Sequence, residues 1–262
     1  MNGSLAGRFR FRVLQRYYSH VEKLEHEHTR EAIAERIAAS NHNYIRDFIY
    51  GGVDGAVTTF AVVSGVAGAE LSTKIVLILG FANLVADGFS MAASNFLGTR
   101  AEIDDYRRLE AIEHRHIRLE PEGEREEVRE IYRAKGFEGE ELDKAVDLIT
   151  ADKERWVKTM MTEEYGLPTE IRSPWLAAGS TFSAFVICGL VPLLPYLFGS
   201  GNSFLAACIM TGLTFFLIGS FKSRWSTRSW FRSGFETLLV GALAAALAYA
   251  VGVLLKGLAD GI

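Results

Sequence analysis

Apolar residues gather along this chain in five long runs, and charges gather between them. The runs cover 48–68, 75–98, 175–198, 204–221 and 238–255. A helix needs about 20 mostly apolar residues to cross the hydrocarbon core of a bilayer. The first two runs meet that length with one internal acid each, Asp54 and Asp87. The third carries no charge, and the last two, nearer the lower length limit, carry none either. In lipid the backbone must satisfy its own hydrogen bonds, so each run predicts a helix. The expected fold is an all-α membrane protein with five transmembrane helices.

The polar interval after the second run predicts three helices in water. The first spans about 99–119 and continues the second transmembrane helix until Pro121 and Gly123 break it. The second covers about 124–135 and stops at Gly136. The third covers about 139–165 and ends at Gly166 and Pro168. Residues 1–44 read as an amphipathic arm in which Phe9, Phe11, Val13, Leu14, Tyr17, Tyr18, Val21 and Leu24 punctuate Arg, Lys and His, a pattern that suits the membrane surface. The domain reading is therefore 1–44 as the arm, 45–98 as transmembrane helices one and two, 99–172 as the insert, and 173–262 as helices three to five. Pro192 and Pro195 predict a kink in the third transmembrane helix. Gly241, Ala245, Ala248 and Gly252 lie about one turn apart and suit close helix packing.

Charge adds an orientation. The net charge of −4 averages unlike parts: residues 99–172 hold 21 of the 32 Asp and Glu against 14 Lys and Arg. The 222–234 loop carries Lys222, Arg224, Arg228 and Arg232 and no acid, and the N-terminal segment is rich in Arg. The short connections at 69–73 and 199–203 carry no Lys or Arg. By the positive-inside rule the N-terminus, the acidic insert and the basic loop are cytoplasmic, and the C-terminus is opposite. No cleavable signal peptide is evident, since the Arg-rich N-terminus lacks a compact apolar stretch. The expected home is a bacterial cell membrane rather than a vacuolar one. The two cysteines, Cys188 and Cys208, both lie in apolar runs and read as inert thiols.

The chemistry concentrates in two places. An ionisable group inside the membrane costs a few kcal/mol and normally faces a polar pathway. Asp54 and Asp87 are such groups, and Met91 follows Asp87 by one helical turn. A thioether beside a carboxylate suits a borderline transition metal better than Mg²⁺ or Ca²⁺. In the insert, Glu102, Asp105, Glu113 and His116 fall near one stripe of the first helix, and Met160 and Glu164 lie one turn apart in the third. If these helices pack antiparallel, carboxylate, imidazole and thioether groups converge in a mixture that favours Fe²⁺, Mn²⁺, Co²⁺ or Zn²⁺. The plain alternative is a solvated helical hairpin laced with ion pairs. His20, His26, His28 and His42 in the arm read either as ligands or as a solvated polar face.

At these residues the sequence resembles the vacuolar iron transporter family, also described as CCC-type iron and manganese transporters. The matching pieces are Asp54-Gly55-x-Val57-Thr58-Thr59-Phe60, Ser90-Met91-Ala92, Glu102 after the membrane exit, Met160-Met161-x-x-Glu164, and Gly189-Leu190-Val191-Pro192-Leu193. The likeness runs from about residue 45 to 257. It implies a homodimer, not an enzyme, that moves Fe²⁺ and often Mn²⁺ out of the cytosol in exchange for protons. It also implies a membrane pathway through Asp54 and Met91 and a cytosolic metal-binding insert using Glu102, Glu113, Met160 and Glu164. Asp105 and His116 stand on the same stripe where Glu is usual. Ser94-Asn95-Phe96 departs from the family's Gly-Glu-aromatic segment, and Asp87 stands where a small residue is usual. The expected partners are metal ions, protons, membrane lipid and a second copy, with no nucleic acid. No prosthetic group is expected, Fe²⁺ or Mn²⁺ being cargo. The competing reading is a membrane-anchored di-iron ferroxidase or iron-storage protein, because Glu25-x-x-His28 and Glu113-x-x-His116 both have ferritin-like spacing.

Overall fold

The computed structural model describes residues 27–38, 44–168, 171–199 and 201–259. Its helices are α1 (Arg30–Ala38), α2 (Ile45–Gly68), α3 (Thr73–Leu119), α4 (Pro121–Ala134), α5 (Gly139–Thr150), α6 (Lys153–Glu163), α7 (Pro174–Leu190), α8 (Leu194–Leu197), α9 (Ser203–Lys222) and α10 (Trp230–Ala259). Helix α1 belongs to a unit of its own, 1–42, and everything from residue 43 onward forms the second unit. Most of the arm, including His20, His26 and His42, lies outside the described residues, while His28 is exposed.

Among the described residues five helices are long and apolar enough to cross a membrane: α2, α3, α7 with its continuation through α8, α9 with its short 3₁₀ extension, and α10. Each expected run matches one of them, the third ending one residue beyond its helix at Phe198, and elsewhere the helix outlasts the apolar run. Helix α10 begins at Trp230 rather than 238, and its first turns carry Arg232 and Glu236 beyond the apolar stretch. Large apolar side chains such as Ile78, Val85, Phe89, Leu213, Leu217, Leu243 and Leu247 are exposed along these helices, as lipid-facing positions are.

Helix α2 is the centre of the bundle and touches α7, α10, α3 and α9. Its glycines make that approach possible. A Cβ on Gly51 would stand 2.3 Å from the Thr181 carbonyl oxygen, and one on Gly55 2.3 Å from that of Phe185. At the far end, a Cβ on Gly252 of α10 would meet the Gly65 carbonyl oxygen at 2.1 Å, and one on Gly241 would meet the Phe215 ring of α9 at 2.1 Å, so the small-residue stripe of α10 packs closely on α2 at one end and on α9 at the other. Gly51, Gly52, Gly55, Gly65 and Gly68 therefore serve contacts within one chain, with α7 and α10, and give no argument for α2 meeting a second copy. The proline pair behaves as its chemistry requires. Without N–H groups at Pro192 and Pro195, α7 gives way to a 3₁₀ turn over Val191–Leu193 before one more helical turn.

The insert differs from expectation in two respects. The continuation of α3 occurs as read, but α4 starts at Pro121 rather than about 124, so Gly123 lies inside it and breaks nothing, and the expected third helix is two, α5 and α6. The break falls at Ala151–Asp152, where the Asp152 carboxylate caps α6 by accepting from the Arg155 N–H at 2.7 Å. Leu142, Val146 and Ile149 of α5 and Trp156, Val157, Met160 and Met161 of α6 then share a core with Ile117 and Val128. Arg125–Asp147 and Arg129–Asp143 pairs tie α4 to α5, and Lys135–Glu163 ties the end of α4 to α6.

Helix α3 is 47 residues long, about 70 Å at ~1.5 Å per residue, against a hydrocarbon core of about 30 Å. Its second half therefore projects from the membrane as one arm of the insert. Arg46, Glu102, Arg172, Lys222 and Glu236 all line one cleft, so the start of α2, the insert and the loop between α9 and α10 share one end of the bundle. The contact of Gly252 with Gly65 and the Glu70–Lys256 ion pair put the end of α10 at the other.

Candidate metal centre

Helix α3 ends at Leu119, and a single residue, Glu120, joins it to α4. Pro121, fixed at a helical φ, starts α4 at once, so α4 folds back beside the end of α3. That turn brings Glu124, in the first turn of α4, onto Glu113 and His116 of α3. One ligand atom from each of these three residues lies within 4.8 Å of the others. Two atoms bound to one ion at ~2.1 Å can be no more than about 4.2 Å apart, so closure on a metal takes side-chain shifts of under about 1 Å. The His116 Nδ1 stands 3.3 Å from Glu124 Oε1. Carboxylate and imidazole together fit Fe²⁺, Mn²⁺, Co²⁺ or Zn²⁺ better than Mg²⁺.

The site is strongly electronegative. Glu113 is 0% exposed, and neither of its oxygens has a hydrogen-bond donor; one Glu124 oxygen is orphaned too. Burial pushes the Glu113 carboxyl up to about 8, helped by the facing Glu124 carboxyl and by the charges of Glu164 and Glu127. Burial, followed by the neighbouring acids, also raises Glu127 and Glu164. Burial and the same ring of carboxylates push the Tyr165 phenol up to about 12. Nearby Glu126, Glu130, Asp143, Asp147 and Glu163 all pair with Arg or Lys. Among the described residues no Lys or Arg pairs with Glu113, Glu124, Glu127 or Glu164. Four acids thus surround one imidazole with no Arg or Lys partner, unlike the five paired acids beside them, and the arrangement can hold a cation.

Sequence reasoning placed Glu113, His116 and Glu164 here and missed Glu124 and Glu127. Their only signal is the three-residue spacing Glu124-x-x-Glu127 in the first turn of α4, hidden in a segment dense with acids. Met160 is buried in the apolar core beneath, where its carbonyl accepts the Glu164 N–H at 2.9 Å and so positions that residue. Asp105 is not part of the centre: it is exposed and bound to Arg108 at 2.7 Å. Glu102 is not part of it either. Eleven residues before Glu113, about 17 Å along α3 at ~1.5 Å per residue, it lines the cleft at the end of the bundle.

That cleft has a volume of about 900 Å³ and reaches Ser90, Met91 and Val53. At its rim Asp47, 7% exposed, is held by Arg172 and by Asn95, whose amide also donates to Thr181 at 2.8 Å. At ~100° per residue, Asp87, Met91, Glu102, Glu113 and His116 lie within about a quarter-turn around α3. One face of a single rod thus carries the membrane residues, the cleft residue and the insert centre. Asp54, half-buried on α2, has Asp87 as its charged neighbour across the α2–α3 contact.

The VIT family model matches residues 45–253, most of the chain and all five spanning helices. The chain belongs to the VIT family. It is 34% identical over 233 residues to a protein of Toxoplasma gondii named vacuolar iron transporter, covering 83% of this chain and 76% of the relative. It is 34% identical over 210 residues to vacuolar iron transporter 1 of Arabidopsis thaliana, covering 78% and 83%. Vacuolar iron transporter 1 of Oryza sativa subsp. japonica is 32% identical over 231 residues, covering 83% and 92%. The chain is accordingly a multi-pass integral membrane protein and a metal ion transporter, not an enzyme. These relatives do not favour the ferroxidase or storage reading, whose second motif begins at Glu25, outside the described residues.

Proposed function

We propose that this protein captures Fe²⁺ or Mn²⁺ from the cytosol at the Glu113–His116–Glu124 centre and carries it out through a membrane pathway past Met91 and Asp54, in exchange for protons. The observation that carries this reading is the set of unpaired acids on and beside α3, the helix that also brings Asp87 and Met91 opposite α2. The insert lies in water, where charge costs little, so its acids can cluster and concentrate cations. Asp54 lies in lipid, where a fixed charge is costly and a cation or a proton relieves it. Metal ligation requires deprotonated carboxylates, so metal and protons compete for the same groups.

The positive-inside rule puts the insert in the cytosol. The relatives come from eukaryotes and are named for the vacuole, and they lend nothing to the bacterial membrane expected from the sequence. Export from the cytosol is the direction in either membrane. A homodimer is part of this proposal. Its support is now a half-buried stripe on α2, at Val53, Asp54, Val57, Thr58 and Ala61, which a second copy would cover. The coupling is tested in vesicles holding a pH-sensitive dye. External Fe²⁺ or Mn²⁺ should drive protons the opposite way, and cation uptake with no proton movement would defeat the antiport step.

A further inference from the structure

The membrane half of α3 carries a side chain with a heteroatom at every fourth position: Asn83, Asp87, Met91 and Asn95. All four are half-buried, at the boundary between the face of α3 that meets its neighbours and the face that does not. Helix α2 runs antiparallel beside them, and two hydrogen bonds fix its register. Asn83 Nδ2 donates to Thr58 Oγ1 at 3.4 Å, and Asn95 Nδ2 donates to Asp47 Oδ1 at 3.0 Å. One helical turn from the Thr58–Asn83 rung, this register sets Asp54 opposite Asp87. Thr58 spends its only proton on the Asp54 backbone carbonyl at 2.9 Å, so it has none for either carboxylate. Among the described residues no Lys, Arg or His pairs with Asp54 or Asp87, and no side chain donates to them. Two facing acids in lipid with no internal counter-charge cost several kcal/mol unless a cation or a proton sits between them.

We propose that Asp87 is a selectivity-determining residue for the transported cation. With Asp54 it makes an oxygen-only step one turn from the thioether of Met91, and the balance between the two sets which ions pass. Carboxylate oxygen suits harder ions such as Mn²⁺, and thioether sulfur suits softer ones. Removing the Asp87 carboxylate leaves a pathway in which Met91 weighs more. This rests on the transporter reading given above.

The test is Mn²⁺ and Co²⁺ flux in proteoliposomes for the wild type, Asp87→Asn, Asp87→Glu and Met91→Leu. Asp87→Asn should lower the Mn²⁺:Co²⁺ flux ratio by roughly tenfold, while Asp87→Glu, which keeps the charge, should hold it within about twofold and Met91→Leu should raise it. Residual Co²⁺ flux and a monodisperse elution profile show that the variants fold. An unchanged ratio in Asp87→Asn, or a parallel loss of both ions, overturns the assignment. A wild type that carries neither ion overturns the transporter reading itself, so the two failures are distinguishable.

Discussion

Glu113→Gln removes a carboxyl that the insert buries completely, and the consequences can be worked through. In the metal-free protein that group is held at about 8 rather than 4.5, first by burial and then by Glu124. At pH 7 only about one molecule in ten then has Glu113 ionised, so metal association runs about tenfold below its alkaline limit. Its logarithm should climb by about one for each pH step up to ~8, because binding expels that proton. The stability effect has a definite sign. The folded value lies above the unfolded one, so the contribution of Glu113 is intact below about 4.5 and is lost as pH rises through about 8. At ~1.4 kcal/mol per factor of ten, the loss is at most about 5 kcal/mol. Gln has the same shape and no proton to lose. Thermal unfolding of the full-length protein in detergent with a chelator should show the variant gaining Tm over the wild type at pH 9 and not at pH 5. Calorimetric Mn²⁺ titrations at pH 6, 7 and 8 should show weaker binding and a flatter pH dependence in the variant. An equal Tm offset at both pH values, or wild-type affinity constant from pH 6 to 8, would refute the reasoning.

Gly55→Ala should destabilise the bundle by about 1–3 kcal/mol or more, since its Cβ would sit 2.3 Å from the Phe185 carbonyl oxygen. Gly98→Ala, which meets nothing within 4 Å, should instead stabilise by about 0.5–1 kcal/mol; unfolding of both in detergent checks the pair. Asp152→Ala should cost about 1 kcal/mol by uncapping α6, read as a lower Tm at neutral pH. Cysteines placed at positions 130 and 262 should be labelled from opposite sides of the membrane, and labelling from one side would refute the five-span orientation.

The spans were legible because lipid allows only one solution for a long apolar run, and even the kink at Pro192 follows from a missing N–H. The insert's helix break was not: Asp152 is one acid among many, and only its bond to the Arg155 N–H marks it as a cap. The site was half legible for the same reason. Helical spacing puts Glu113 and His116 on one face, but it also puts Asp105 there, and spacing cannot say that Arg108 claims Asp105. Glu124 joins the centre because α3 and α4 meet at a one-residue joint, a tertiary fact that no period within either helix encodes. The glycines of α2 point the same way. Their pattern announces a close helix contact without naming the partner, which is α7 and α10 of the same chain.

The central claim is that this chain moves a divalent transition metal through the membrane past Asp54. Flux of Fe²⁺, Mn²⁺, Co²⁺ and Zn²⁺ into proteoliposomes, wild type beside Asp54→Asn, with and without a pH gradient, tests it most directly. The account predicts Fe²⁺ or Mn²⁺ flux in the wild type, accelerated by a proton gradient of the opposite sense, and none in a folded Asp54→Asn protein. Near wild-type flux through Asp54→Asn, or no flux of any of the four ions through correctly inserted wild type, would contradict it.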